Sequence, residues 1–277
     1  MIGQKQLISV IDNQIELDEF PKFSIIVGPE GSGKKTLSYQ IANKLGCQRT
    51  FIEPKIDAIR EMINSAYTVQ TKTLYVILDG NMSIPAENAL LKICEETPLN
   101  TYIMWLVSDS SIILDTLKSR AGIYYIQPYT TTEILEYAQI GREVVDDSDI
   151  IADLCETPGD VDRLRAMGMD KFYSFVEKVV NNIANVSSAN ALKITNNIDT
   201  KGTDADKYDM ILFLRAFRAI CGRELRIAIA NNDLEGQMWF SDGIKVTTNI
   251  LNQTRINGIN KSALLDMFIL DIRREWV

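Results

Sequence analysis

The sequence predicts an α/β domain with a mostly parallel sheet over residues 1–128, followed by a region built of helices. Two continuous apolar runs, residues 73–78 and 102–107, have the composition of strands that are buried on both faces. Segments with helical apolar spacing lie between the strand-like runs, and strands that alternate with helices are typical of a parallel sheet. After Pro128 the strand-like runs end, and helical periodicity continues to residue 276.

Within the first 128 residues, each predicted element has its own signal. Residues 2–15 carry apolar side chains at helical spacing, and residues 51–66 repeat isoleucine with charged residues between. The helix that covers residues 86–96 is stopped by Thr97 and Pro98. Further strands are predicted at residues 23–27 and 123–126, a helix from the glycine loop to Leu45, and a helical turn at 112–118.

The second half of the chain predicts helices at 130–140, 150–155, 159–167, 170–183, 208–231, 233–256 and 261–276. The first of these opens with T-T-T-E, which is a capping-box arrangement. In helix 208–231, four arginines fall on one broad face: Arg215, Arg218, Arg223 and Arg226. They predict either a stripe that contacts DNA or, given the surrounding acids, a salt-bridged face. The apolar residues of the same helix predict a core or an oligomer contact: Leu212, Phe213, Phe217 and Ile220.

Composition excludes several classes of chemistry. The 277 residues include no histidine, which removes histidine triads, histidine metal sites and imidazole acid–base catalysis. The formal charge of −8 argues against autonomous binding of bare nucleic acid. The four cysteines lie dozens of residues apart and predict reduced thiols in the cytoplasm. Neither a signal-peptide layout nor a membrane-spanning apolar run is present, so we expect no membrane partner.

Residues 27–36 read V-G-P-E-G-S-G-K-K-T and match the phosphate-loop pattern G-x-x-x-x-G-K from Gly28 to Lys34. Glycines let the backbone curl so that its N–H groups point inward, and the following helix N-terminus favours anions. Lys34 is predicted to reach the outer phosphates of a nucleotide. The predicted nucleotide-binding residues are Gly28, Pro29, Glu30, Gly31, Ser32, Gly33, Lys34, Lys35 and Thr36.

One position departs from the pattern. The hydroxyl residue that should follow Lys34 is Lys35, and a hydroxyl arrives one residue later, as Thr36. One residue is about 100° of helical rotation, so Thr36 does not simply replace a magnesium-binding hydroxyl. The alternative interpretation is a glycine turn that only joins a strand to a helix.

Four motifs, in order, resemble clamp-loader subunits of the AAA+ class, most closely the delta-prime subunits of bacterial DNA polymerase III. The motifs are I-G-Q at residues 2–4, the phosphate loop, N-A-L-L-K-I-C-E-E-T-P at 88–98, and D-T-L-K-S-R-A at 115–121. The resemblance is close over about residues 1–130 and rests on layout beyond them. It implies a five-stranded AAA+ domain at 1–128, a small helical lid at 129–168 and an all-helical collar at 169–277.

The resemblance also implies roles for single residues. Arg120 corresponds to the arginine finger that is offered to a neighbouring subunit's ATP, and Ser108 to the first sensor. Asp79 is the Walker B-like carboxylate, and ATP with Mg²⁺ is the ligand that the family uses. From the residues alone, Arg120 could instead be a surface arginine, Asp79 a carboxylate that caps a turn, and helix 88–96 a packed helix with Glu95 and Glu96 solvated.

Departures from the family weaken hydrolysis. The second strand ends I-L-D-G-N-M with one carboxylate, where the family has an acidic pair. The lid position of the usual arginine holds Asp162, with Arg163 one step late, and Ala121 replaces a cysteine. The zinc module of many relatives is missing. These departures predict a subunit that hydrolyses little ATP itself.

The sequence therefore predicts a cytoplasmic subunit that assists ATP-dependent loading of a sliding clamp on primer–template DNA. Its expected partners are other clamp-loader subunits, the sliding clamp and DNA within the assembly. One alternative is a self-sufficient homo-oligomeric AAA+ ATPase of phage or mobile-element type. Another is a scaffold that binds no nucleotide.

Overall fold

The structure, a computed structural model, describes residues 2–80, 82–140, 148–183, 188–200, 202, 204, 206–256 and 258–274. The chain packs into two units. The first comprises Met1–Glu133 with Thr157–Gly159, and the second comprises Ile134–Glu156 with Asp160–Val277. The three-domain division at 1–128, 129–168 and 169–277 stays a prediction.

The first unit is built on a parallel five-stranded sheet in the order β2-β3-β4-β1-β5. The strands are β1 (Phe23–Val27), β2 (Gln48–Ile52), β3 (Thr73–Ile77), β4 (Thr101–Val107) and β5 (Gly122–Tyr125). All residues of β1, β3 and β4 are buried, as continuous apolar strands in the middle of a sheet require. The predicted mostly parallel five-stranded sheet is confirmed.

Helices cover both faces of this sheet. They are α1 (Lys5–Glu16), α2 (Lys34–Leu45), α3 (Ile56–Ala66), α4 (Ile84–Glu95) and α5 (Asp115–Lys118), with a 3₁₀ turn at Ser110–Ile112. Successive side chains of β4 point to opposite faces, so Trp105 packs in the core beneath α3 and α4, and Met104 packs beneath α1 and α2. The phosphate-loop lysine begins α2, so the loop lies where β1 leaves the sheet.

The edge strand β2 corrects the predicted helix at 51–66. Phe51 and Ile52 lie in this strand, and α3 begins only at Ile56, after Pro54. Among the described residues, strand β2 pairs with β3 alone, and it is largely exposed, so it lacks the apolar run that marks the inner strands. Its exposed face is covered in part by stacking, since the Arg49 guanidinium lies 4.6 Å from the Phe51 ring centroid.

The second unit is mainly helical, as predicted. Its helices, with α6 and α8 beginning in the first unit, are α6 (Thr131–Gln139), α7 (Ser148–Leu154), α8 (Pro158–Met167), α9 (Met169–Asn182), α10 (Ser188–Leu192), α11 (Met210–Ala230), α12 (Leu234–Gln253) and α13 (Lys261–Arg274). One correction is a parallel pair of two-residue strands, Ile198–Asp199 and Tyr208–Asp209. Two residues are too few to show a strand period in the sequence.

The contacts of α11 define its apolar face and pair two of its four arginines, while the role of Arg218 and Arg226 stays a prediction. Its four apolar residues are all buried, and Phe217 meets Phe268 edge to face at 5.1 Å, so they form core and no oligomer contact. Arg223 lies 2.7 Å from Glu177. Arg215 lies 2.8 Å from Glu156, so both arginines belong to a salt-bridged face.

Asp160, at the start of α8, is the centre of a buried ionic cluster. Its side chain is 3% exposed and accepts hydrogen bonds from Arg163 at 2.6 Å and from Arg215 at 2.9 Å. Burial alone would raise the pKa of Asp160, but the charge of Arg215 and the hydrogen bond from Arg163 hold it below its ordinary value. The folded second unit therefore favours the ionised carboxylate.

We expect Asp160→Asn to lower the free energy of unfolding by about 3 kcal/mol at pH 7, because it leaves two arginines without their shared carboxylate. Since the folded state lowers the pKa of Asp160, this contribution is complete above the unfolded pKa and is lost as pH falls through the folded pKa. The difference in unfolding free energy between wild type and variant, measured by urea unfolding, should therefore decrease as the pH is lowered. Asp242→Asn, which removes an exposed pair with Lys245, should change stability by less than about 0.5 kcal/mol. A gap that stays constant with pH would contradict this assignment.

Candidate functional site

The glycine loop has the geometry of a phosphate cradle. Gly31 and Gly33 have φ of +77° and +88°, a left-handed conformation that favours glycine. Helix α2 then begins at Lys34 without a side-chain cap, so the N–H groups of its first turn face the loop. Curled glycines together with an uncapped helix start are the features of an anion site. They favour a phosphate loop over a plain turn that only joins a strand to a helix.

Three backbone contacts hold the loop in this shape. The N–H of Gly28 donates to the carbonyl of Val107 at 3.0 Å, and the Tyr129 hydroxyl donates to the carbonyl of Ser32 at 2.8 Å. The N–H of Gly159 donates to the carbonyl of Gly31 at 3.0 Å. No local signal in the sequence marks Tyr129 as a partner of the loop, whereas Gly159 belongs to a Pro158-Gly159 pair, which is a turn signal.

Lys34, Asp79 and Ser108 come together at the carboxyl edge of the sheet, as their positions after β1, β3 and β4 require. The Nζ atom of Lys34 lies 2.8 Å from Asp79 Oδ2, and it donates to Ser108 Oγ at 3.3 Å. The same Nζ donates to the carbonyls of Gly28 at 2.5 Å and Pro29 at 3.1 Å. Lys34 is therefore buried and neutralised inside the loop.

Asp79 is fully engaged in this cluster. Its Oδ1 accepts from the Ser108 N–H at 3.1 Å, and its Oδ2 accepts from the Ser108 hydroxyl at 2.5 Å as well as from Lys34.

The other predicted loop residues differ in their exposure to solvent. Ser32 is buried, whereas Pro29, Glu30, Lys35 and Thr36 are exposed.

The residues at the loop do not fit Mg²⁺. Magnesium in nucleotide sites takes oxygen ligands from a hydroxyl and a carboxylate, and Lys35 stands where the hydroxyl would be. Asp79, the carboxylate of the cluster, is already the counter-ion of Lys34. Across the described residues, no group of three or more histidine, cysteine, aspartate or glutamate side chains could hold a metal.

Arg120 lies on the surface directly after α5. Its Nε and terminal nitrogen lie 2.8 and 2.6 Å from Glu95 Oε1, and it donates to the Thr116 carbonyl at 2.9 Å. The side chain is 37% exposed, so Arg120 is not part of the core. Glu95, which is solvated in the packed-helix alternative, is half exposed and is the intrachain partner of Arg120.

A second carboxylate of α4, missed by the sequence analysis, holds the other end of α5. Glu87 is buried, and its Oε2 accepts from the Leu114 N–H at 2.9 Å. Burial raises the pKa of Glu87, and the Leu114 hydrogen bond opposes that rise. Helix α4 therefore holds the turn that carries Arg120 from both sides.

The lid arginine, predicted one step late, is engaged inside the second unit. Arg163 lies 2.6 Å from Asp160 and 3.6 Å from Asp209. Asp162, at the usual arginine position, accepts from the Tyr137 hydroxyl at 2.8 Å.

Comparisons with known sequences agree with these motifs. Residues 52–130, less than half of the chain, match the family "DNA polymerase III, delta subunit". The DNA polymerase III subunit gamma of Buchnera aphidicola (Schizaphis graminum strain) is 25% identical over 169 residues, covering half of this chain and 47% of the relative. The gamma subunit of the Acyrthosiphon pisum strain is 24% identical over 169 residues, which again cover half of this chain and 47% of the relative. Over part of its length, the chain is therefore similar in sequence to clamp-loader subunits of DNA polymerase III.

The chain spans about half the length of the curated proteins that it matches. Solved structures show the same fold over a larger share. A gamma subunit-related protein of Thermotoga maritima superimposes with a TM-score of 0.52 at 16% identity, covering 98% of this chain and 99% of that one. Thermotoga maritima RuvB, a Holliday junction branch migration motor, superimposes with a TM-score of 0.51 at 17% identity, covering 82% of this chain and 76% of that one. The AAA+ fold is thereby confirmed.

Two further features of the described residues concern membrane-spanning helices and the cysteines. None of the described helices combines the length and apolarity that crossing a bilayer demands. All four cysteines are free, and burial raises the pKa of Cys94, Cys155 and Cys221 to about 12.

Gly159→Ala tests the contact that braces the loop. A Cβ at this position would lie 2.4 Å from the Gly31 Cα, so the segment must move and the Gly31 hydrogen bond must lengthen. We expect a loss of about 1–3 kcal/mol in unfolding free energy and faster amide exchange across residues 31–34. Gly222→Ala is the matched control, because its Cβ would meet nothing within 4 Å and alanine favours the helix. Equal exchange rates in both variants would show that Gly159 does not hold the loop.

Proposed function

We propose that this chain is the delta-prime type of clamp-loader subunit. It assists ATP-dependent loading of a sliding clamp on primer–template DNA in the cytoplasm, within a ring of other clamp-loader subunits. The observation that carries the proposal is the pairing of an accessible Arg120 with a phosphate loop whose own magnesium residues are incomplete. The relatedness to polymerase III subunits supports it.

The proposed role of Arg120 is to stabilise the γ-phosphate of ATP bound by a neighbouring subunit. An arginine supplied from outside a phosphoryl-transfer site contributes about a thousandfold or more in rate, or about 4 kcal/mol. The exposed pair of Arg120 with Glu95 is worth about 1 kcal/mol or less. Exchanging Glu95 for a phosphate therefore costs little compared with the gain.

The proposed division of labour also follows from what the loop lacks. Hydrolysis needs a metal to neutralise phosphate charge and a residue that orients the attacking water. Lys35 replaces one metal ligand, and Asp79 is bound by Lys34 and Ser108. The chain therefore hydrolyses little ATP and lends its guanidinium to a competent partner.

We expect Arg120→Ala to slow hydrolysis at the adjacent ATP site of a reconstituted loader by about a thousandfold, because the developing phosphate charge loses its partner. Single-turnover hydrolysis with primer–template DNA measures this step, and fluorescence of labelled clamp reports loading. Lys118→Ala, which removes a neighbouring cation of the same turn, should leave both rates unchanged. Unchanged rates with Arg120→Ala would remove the arginine-finger role.

A self-sufficient homo-oligomeric ATPase is the second candidate, because Lys34, Asp79 and Ser108 are still assembled. For the delta-prime role we expect the purified chain alone to turn over ATP at below about 0.1 per second, since enzymes commonly exceed 1 per second. Lys34→Ala is the control for contaminating activity. Faster turnover that disappears in Lys34→Ala would favour the self-sufficient ATPase.

A further inference from the structure

We infer that the loop at residues 28–36 is a magnesium-independent polyphosphate site, which takes the metal-free form of a nucleoside di- or triphosphate with Lys35 in place of the metal. This inference goes beyond the proposed function, because the role of Arg120 at a neighbour's ATP does not require an occupied loop here. It rests on the loop, the start of α2 and the partners of Asp79.

The loop is built for an anion. The left-handed Gly31 and Gly33 curl the backbone, and the uncapped start of α2 adds the N–H groups of its first turn. A second observation is independent of the helix start. The Ser32 hydroxyl is buried, at 1% exposure of the residue, and has no hydrogen-bond partner in the described part of the chain. A buried polar atom without a partner is costly, and a phosphate oxygen is a suitable acceptor for it.

The positive charges are arranged for a polyphosphate without a metal. Lys34 is held inside the loop by Gly28, Pro29 and Asp79, and Lys35 follows it as an exposed cation on the first turn of α2. An ammonium group cannot ligate Mg²⁺ and repels it, but it binds a phosphate oxygen directly. The Lys35 position thus converts a metal-binding corner of the loop into a second phosphate-binding corner.

The ligand charge follows from this arrangement. A free nucleoside triphosphate carries more negative charge than its magnesium complex, so it matches the exposed Lys35 ammonium and the amide cradle better. A loop that uses a metal shows the opposite preference, because the metal bridges phosphate and protein. The sign of the magnesium effect on affinity is therefore the signature that separates the two cases.

The experiment is calorimetric titration of the full chain with ADP and with ATP, once in excess EDTA and once in saturating Mg²⁺. We expect binding in EDTA to be about threefold tighter or more, because Mg²⁺ masks phosphate charge that Lys35 would otherwise meet. Tighter binding in Mg²⁺ would overturn the inference. Absence of binding in both buffers would also overturn it, but it would leave the clamp-loader role intact, since Arg120→Ala tests that role separately.

Lys35→Thr is the decisive variant, because it restores a hydroxyl after Lys34. We expect its affinity in EDTA to fall about tenfold through loss of one charged contact, and Mg²⁺ no longer to weaken binding. Lys44→Ala is the matched control on the same helix, since Lys44 pairs with Asp12 at 2.5 Å, and its affinity should equal that of wild type. Thermal melting of each variant without nucleotide checks that it is folded. Wild-type behaviour of Lys35→Thr would show that Lys35 has no part in the site.

Discussion

The ion pair between Lys34 and Asp79, completed by the Ser108 hydroxyl, is the interaction on which the arrangement at the sheet edge depends. It joins residues that follow three different strands, and it neutralises a lysine whose side chain is only 8% exposed. A buried ammonium without such partners would be costly. Because Lys34 also donates to two loop carbonyls, the cradle keeps its shape before any ligand enters.

Helix α4 gives a second constraint, of a different kind. Buried Glu87 holds the backbone just before α5, and half-exposed Glu95 holds the Arg120 guanidinium just after it. The buried contact fixes the position of the turn, while the exposed one is weak enough to be exchanged. Helix α4 is therefore a structural support for Arg120 as well as a packed helix.

Prediction from the sequence succeeded where a signal is local and repeated. Inner strands with long apolar runs, and amphipathic helices, were correctly placed to within a few residues. The edge strand β2 was missed because an exposed strand needs no apolar run, and its pairing with β3 is decided by a neighbour in space. The two-residue pair formed by Ile198–Asp199 and Tyr208–Asp209 was missed because such a short segment has no period.

The sequence by itself determined the α/β class, the phosphate loop and the replacement of a hydroxyl by Lys35, because each depends on residue types and their spacing. Arg120 was singled out by the resemblance to clamp-loader subunits. Only the tertiary structure decided which distant side chains contact the loop and Arg120. Tyr129 reaches Ser32 across 97 positions, and Glu95 reaches Arg120 across 25. Such pairs leave no periodic trace along the chain, since they form only when packing of the sheet and helices brings distant segments together.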